Sequence, residues 1–166
     1  MLGRTHLAAG FCTGMTISAT QALSPTNTIV VTAGCMLGSL LPDIDQKNSM
    51  ISQTAKPVGA VVSAVAGHRK LLHDPALYLL AMTAVWFSVP QTFPWLIPVF
   101  IGVVTHLLLD SLNPMGIPLL YVFRHGKWRL RLAKFRTGSW FDSACCGLLW
   151  VMGYASLAKW IFQNLA

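Results

Sequence analysis

Ten side chains make up the whole supply of carboxylates and imidazoles in this 166-residue chain: Asp43, Asp45, Asp74, Asp110 and Asp142, with His6, His68, His73, His106 and His125. There is no glutamate. His106 and Asp110, in THLLLD, are four apart, so on a helix they share one face and reach one ion. A hydrogen bond internal to the helix is their other use. Asp43 and Asp45, in LLPDID, are two apart, a spacing that suits a turn or extended segment chelating one or two ions; a solvated helix end is the alternative. HRKLLHD sets His68 and His73 five apart, as ligands, as ligand and general base, or as ordinary interfacial groups. Histidine and aspartate without thiolates match borderline to hard divalent ions, zinc first, with manganese and iron as alternatives.

The remaining members carry less by themselves. His6 draws its weight from position alone. Asp142 fits either a late metal ligand or a helix start favoured by the helix dipole. Asp74 precedes Pro75 and reads as an N-cap. His125, in RHGKW, reads as an interfacial turn residue. Cys12, Cys35, Cys145 and Cys146 lie in apolar runs without the spacing of a zinc knuckle, and so read as small buried hydrophobes.

The elements that must position these groups are apolar. The chain is 54% hydrophobic and 10% charged, with mean hydropathy +0.58. Soluble domains carry about 25% charged residues. Too little charge is present to coat a soluble globule, and lipid is the expected solvent. Uncharged runs divided at ALSPTNT and VPQTFP predict helices over 3–21, 27–42, 75–89, 95–111 and 139–163. The first is expected to be a retained helix, not a cleaved signal. PVGAVVSAVAG, 57–67, is too short to span and predicts a short interfacial helix. NPMGIP stops the fourth helix. KWRLRLAKFR alternates basic and apolar residues, the pattern of a β-ribbon or a basic interfacial arm before the last helix. The expected fold is all-α: a single integral membrane domain over 1–166, a polytopic bundle of about five transmembrane helices.

Positive charge orients that bundle. Arg4, then Lys47, Lys56, Arg69 and Lys70, then Arg124, Lys127, Arg129, Arg131, Lys134 and Arg136 fall in three regions that five crossings put on one side, leaving only Lys159 for the other. The positive-inside rule places the N-terminus in the cytoplasm and the C-terminus outside. The net charge of +7 is then mostly topological, together with attraction to anionic headgroups. Membrane lipid is the expected partner and nucleic acid is not; the oligomeric state is left open.

On this topology His6, Asp43, Asp45, His68, His73, His106, Asp110 and Asp142 all fall at the cytoplasmic end, each helix contributing at least one. Ionisable groups at membrane depth are costly and mark function. Eight that converge point to one shared metal site.

THLAAG, LLPDID, HRKLLHD, THLLLDSLNPMGIPLLYVF and FRTGSWFD, in that order along nearly the whole chain, resemble the YdjM-like family of inner-membrane, metal-dependent hydrolases, some associated with the LexA regulon. The resemblance implies a bacterial inner-membrane location, a metal site and hydrolase activity. A more distant similarity is to the metal site of zinc-dependent phospholipases C and nucleases, which also order His, Asp, His, HxxxD and a late acid.

The expected function is a metal-dependent hydrolase acting on a phosphoester of a lipid or other amphiphile at the cytoplasmic membrane face. The eight convergent residues would be the ligands. Asp45, His68 or His73 would accept a proton, and Arg69, Lys70 and Arg124 would bind an anionic headgroup. A non-enzymatic scaffold stapled by metal is one rival. A metal transporter or sensor is another, although the far half of the bundle offers it only Ser, Thr, Asn, Gln and Cys.

Overall fold

Proline and a short polar side chain start two of the helices. Ser24 Oγ accepts the Asn27 amide (3.5 Å) ahead of Pro25, and Asp74 Oδ1 accepts the Ala76 amide (3.1 Å) ahead of Pro75. Each bond satisfies an amide that the first helical turn leaves unpaired, and proline has none to lose. The N-cap expected at Asp74 is therefore present. The computed structural model describes residues 1–45, 71–121 and 128–165. In it α1 spans Gly3–Thr20, α2 Pro25–Leu40, α3 Pro75–Ser88, α4 Phe93–Ser111 and α5 Trp140–Leu165. A 3-10 turn, Leu41–Asp45, carries the end of α2 through LPDID, and a second, Pro90–Thr92, joins α3 to α4. His68, Arg69, Lys70, Arg124, His125, the helix expected over 57–67 and the side chain of Asp45 lie outside the described residues.

Among the described residues, three segments are long and apolar enough to cross a membrane: Pro25–Ile44, Pro90–Ser111 and Trp140–Asn164, of 20, 22 and 25 residues. At about 1.5 Å per residue, each matches a hydrocarbon layer about 30 Å thick. The five expected helices are all present, but length and apolarity suit a crossing in only three. Helix α3 has 14 residues and extends about 21 Å. Helix α1 has 18 residues, but Arg4, His6 and its many small polar side chains dilute its apolar character. Large apolar side chains point outward along the bundle, among them Leu37, Phe87, Trp95, Leu108, Val151 and Phe162. Such a surface suits lipid and is a liability in water.

Helix α1 packs against α2, α4 and α5, and α2 packs against α4. The α2–α4 contact is backbone on backbone. A Cβ on Gly38 would sit 1.9 Å from the Val99 carbonyl oxygen, and one on Gly102 would sit 2.1 Å from that of Cys35. Only glycine permits that approach, which also brings the Ser39 carbonyl against α4. On the other flank Phe11 of α1 meets Trp150 and Tyr154 of α5, with ring centroids 5.1 and 5.4 Å apart.

The expected ribbon is present but small. Strand β1, Ile117–Leu119, pairs antiparallel with β2, Trp128–Leu130, in the register Ile117↔Leu130, Pro118↔Arg129 and Leu119↔Trp128. It covers a core of Val103, Leu107 and Ile117, with Tyr78, Leu119 and Leu130 packed against it. All-α is thus corrected to mostly helical with a two-stranded sheet. Alternation in KWRLRL satisfied a sheet that had one apolar face to bury.

Candidate metal centre

Four elements bring five of the expected ligands together. His6 comes from α1, Asp43 from the 3-10 turn after α2, His73 from the residue before the α3 cap, and His106 and Asp110 from α4. All three imidazoles and Asp43 are buried, and Asp110 is nearly so. His6 Nε2 lies 3.3 Å from Asp110 Oδ1. His73 Nε2 lies 3.6 Å from Asp43 Oδ1 and 3.5 Å from Asp110 Oδ2. His106 Nε2 lies 3.9 Å from Asp43 Oδ1 and 3.6 Å from Asp110 Oδ2. Ligands on a tetrahedral ion with bonds of about 2.0–2.2 Å stand about 3.3–3.6 Å apart. The donor atoms therefore already hold nearly the spacing that one coordination sphere requires.

His106 is held in the useful tautomer. Its Nδ1 lies 2.7 Å from the Ser39 carbonyl oxygen, which can only accept, so Nδ1 carries the proton and Nε2 keeps its lone pair. The close glycine contact between α2 and α4 delivers that carbonyl. His73 is fixed from both sides in sequence. The Tyr78 hydroxyl donates to the Leu72 carbonyl (2.8 Å), and Asp74 Oδ1 accepts the amides of Ala76 and Leu120 (both 3.1 Å). Asp110 Oδ1 receives Asn113 Nδ2 (2.8 Å) and the α-amino group of Met1 (2.5 Å).

The chemistry of the donor set fits a divalent ion. Both nitrogens of His6, both of His73 and Nε2 of His106 are buried without a hydrogen-bond partner among the described residues. Each such orphan costs about 1–3 kcal/mol. Two overlapping sets have their donor atoms within 4.8 Å of one another: His6, His106 and Asp110, and Asp43, His73 and His106.

Asp142 is not brought into this cluster. Its Oδ1 accepts the Thr5 hydroxyl (2.6 Å), and its Oδ2 accepts the amides of Leu2 (3.1 Å) and Gly138 (2.8 Å). Both oxygens are occupied in pinning the start of α1 to the start of α5. Asp142 thus positions His6 from behind.

A cavity of about 180 Å³ opens beside the cluster, walled by His73, Asp110, Asn113, Met115, Arg129 and Arg136. Arg129 is anchored through Nε to the Met115 carbonyl (2.6 Å) and through Nη2 to that of Gly116 (3.2 Å). Arg136 is exposed. The expected headgroup cations Arg69, Lys70 and Arg124 lie outside the described residues, so Arg129 and Arg136 are the arginines seen at the cavity. Sequence reasoning had counted both only as topological charge. No sequence signal placed them there, because the fold alone brings them beside Asn113 and the turn that ends α4.

A family model described as YdjM inner membrane protein matches residues 1–165. The Inner membrane protein YdjM of Escherichia coli (strain K12) is 32% identical over 108 residues, 61% of this chain and 53% of that protein, so the chain spans about half the length of that relative. The uncharacterized protein YvsG of Bacillus subtilis (strain 168) is 30% identical over 150 residues, 86% of this chain and 85% of that protein. No solved structure matches the chain, so the likeness to zinc-dependent phospholipases C rests on residue order alone. With apolar helices long enough to cross a membrane and a family match that runs through every element described above, the chain belongs to the YdjM family of inner membrane proteins.

Proposed function

We propose that this chain is a membrane-bound, metal-dependent hydrolase that acts on a phosphoester of a lipid or other amphiphile at the cytoplasmic face. One observation carries the reading: three buried imidazoles, without hydrogen-bond partners on their facing nitrogens among the described residues, converge on two carboxylates at the wall of a cavity that also holds two guanidinium groups. His6, Asp43, His73, His106 and Asp110 would hold the ion, zinc first, manganese or iron otherwise. A divalent ion in such a site acidifies water to a pKa of about 7 and neutralises charge on a phosphoryl oxygen.

The protein's own residues do the rest. Arg129, stiffened by two carbonyls, and Arg136 bind the phosphoryl oxygens and orient them toward Asp110 and His73. Ser39 holds the His106 ring so that the ligand face does not rotate. His73 stays with the carboxylates, which leaves proton acceptance to Asp45 or His68. Five crossings with the N-terminus in the cytoplasm would set this cavity at the headgroup level, in keeping with the distribution of Lys and Arg.

The test uses protein purified in detergent. Its metal content is measured, and turnover of phospholipids of defined headgroup is followed with and without chelator. Bound metal near stoichiometry, turnover lost on chelation and restored by the metal, and a drop of at least ~100-fold for His106→Ala are expected. Turnover that survives both chelation and His106→Ala would sink the reading. Bound metal with no turnover, and unfolding on chelation, would favour the scaffold.

A further inference from the structure

The three imidazoles are not equivalent in their mutual orientation. The rings of His6 and His106 are stacked, with centroids 3.7 Å apart and planes inclined by 17°. Those of His73 and His106 meet edge to face, with centroids 5.3 Å apart and planes at 69°. A ring nitrogen binds along its lone pair, which lies in the ring plane. An ion shared by two imidazoles must therefore lie close to both planes.

His73 and His106 meet that condition. Two imidazoles on one tetrahedral ion, with bonds of about 2.05 Å, have centroids about 5.2 Å apart. His6 and His106 do not. Planes separated by a stacking distance of about 3.5 Å and inclined by so little converge only about 11 Å away, far beyond a metal–nitrogen bond. An ion midway between these rings would sit well out of both planes. Stacked rings of this kind do not share one ion; each would need its own.

The carboxylate between them is divided in the same way. Asp110 turns Oδ2 to His73 and His106 (3.5 and 3.6 Å) and Oδ1 to His6 Nε2 (3.3 Å), where the α-amino group of Met1 (2.5 Å) and Asn113 Nδ2 (2.8 Å) also meet it, so that a second ion on Oδ1 would take the place of the ammonium charge. We infer that the cluster is built for two divalent ions bridged by Asp110. One is held by Asp43, His73, His106 and Asp110 Oδ2, and its partner by His6 and Asp110 Oδ1. The second sphere is the poorer in protein donors, so its ion is the more open to water or substrate. Paired ions in hydrolytic sites stand about 3.5–4 Å apart, close to the ring separation of His6 and His106. This inference rests on the metal reading above and fixes the number and sharing of ions within it.

The experiment strips the full chain in detergent with a chelator and reloads it with manganese(II), and in separate samples with zinc or iron(II). About two ions per chain, an exchange-coupled paramagnetic resonance signal and a metal–metal vector of about 3.5–4 Å in X-ray absorption are expected of the wild type. His6→Ala should retain about one ion with the signal of an isolated manganese(II), because the four-ligand sphere stays intact. The wild-type spectra decide the matter even where that variant fails to fold. One isolated ion per chain in the wild type, or coupling that survives His6→Ala, overturns the two-ion inference while leaving the metal reading intact. No bound manganese(II), zinc or iron overturns the metal reading itself and the inference with it.

Discussion

Asp110 and Asp142 are both aspartates near the ends of membrane-type helices, and they answer burial in opposite ways. Asp142 is closed: an alcohol and two amides occupy its oxygens, and its work is to hold α1 against α5. Asp110 is only partly closed: Oδ1 takes Asn113 and the Met1 α-amino group, but both oxygens also face imidazoles whose nitrogens have no hydrogen-bond partner among the described residues. A buried carboxylate does not by itself mark a site. What separates the two is whether the groups around it are satisfied without an added ion.

The comparison breaks most sharply on substitution of the two acids. Asp110→Ala is expected to abolish metal binding and reduce turnover at least ~100-fold, with the helical circular dichroism retained. Asp142→Ala should do the reverse. It strands three donors and costs stability, about 1–3 kcal/mol per orphaned donor, read by thermal or denaturant unfolding in detergent, while bound metal per folded chain stays at the wild-type level. Equal loss of metal in both would show that Asp142 does belong to the cluster. A smaller effect is expected on the cavity side. Arg136→Ala should raise KM for an anionic phosphoester about tenfold, roughly 1.4 kcal/mol, with metal content unchanged. The smallest belongs to Ser39. His106 uses its carbonyl, not its hydroxyl, so Ser39→Ala should change metal affinity by no more than about 0.5 kcal/mol in a metal titration. A large effect there would mean that the side chain, and not the backbone, orients the ring.

How much of this was legible follows from the same contrast. His6, Asp43, His73, His106 and Asp110 could be picked out because acids and imidazoles are so scarce that their shared end of the bundle shows through the topology alone. Asp142 was drawn into the same set because position along a helix says nothing of donors supplied from Leu2 and Thr5, which only the folded chain brings near. Arg129 and Arg136 were read as topological charge, since an orientation rule counts lysine and arginine without asking what they face. The second strand could be seen in the alternation of KWRLRL. Its partner could not, because Ile117–Leu119 follows a proline–glycine stop and contains Pro118. Helix α3 was legible as an apolar segment because hydropathy reports apolarity; its length of 14 residues is set by the Asp74 cap and the turn at Pro90.

Asp74 gives the fold one more property. Its carboxylate caps α3 one residue after His73 and also takes the amide of Leu120, just past the strand that pairs with Arg129. The ligand wall and the arginine wall of the cavity thus hang from one fulcrum. On the proposed reading, a headgroup that pried the ribbon outward would pull on the segment bearing His73, so the width of the mouth and the grip on an ion would be mechanically geared to each other.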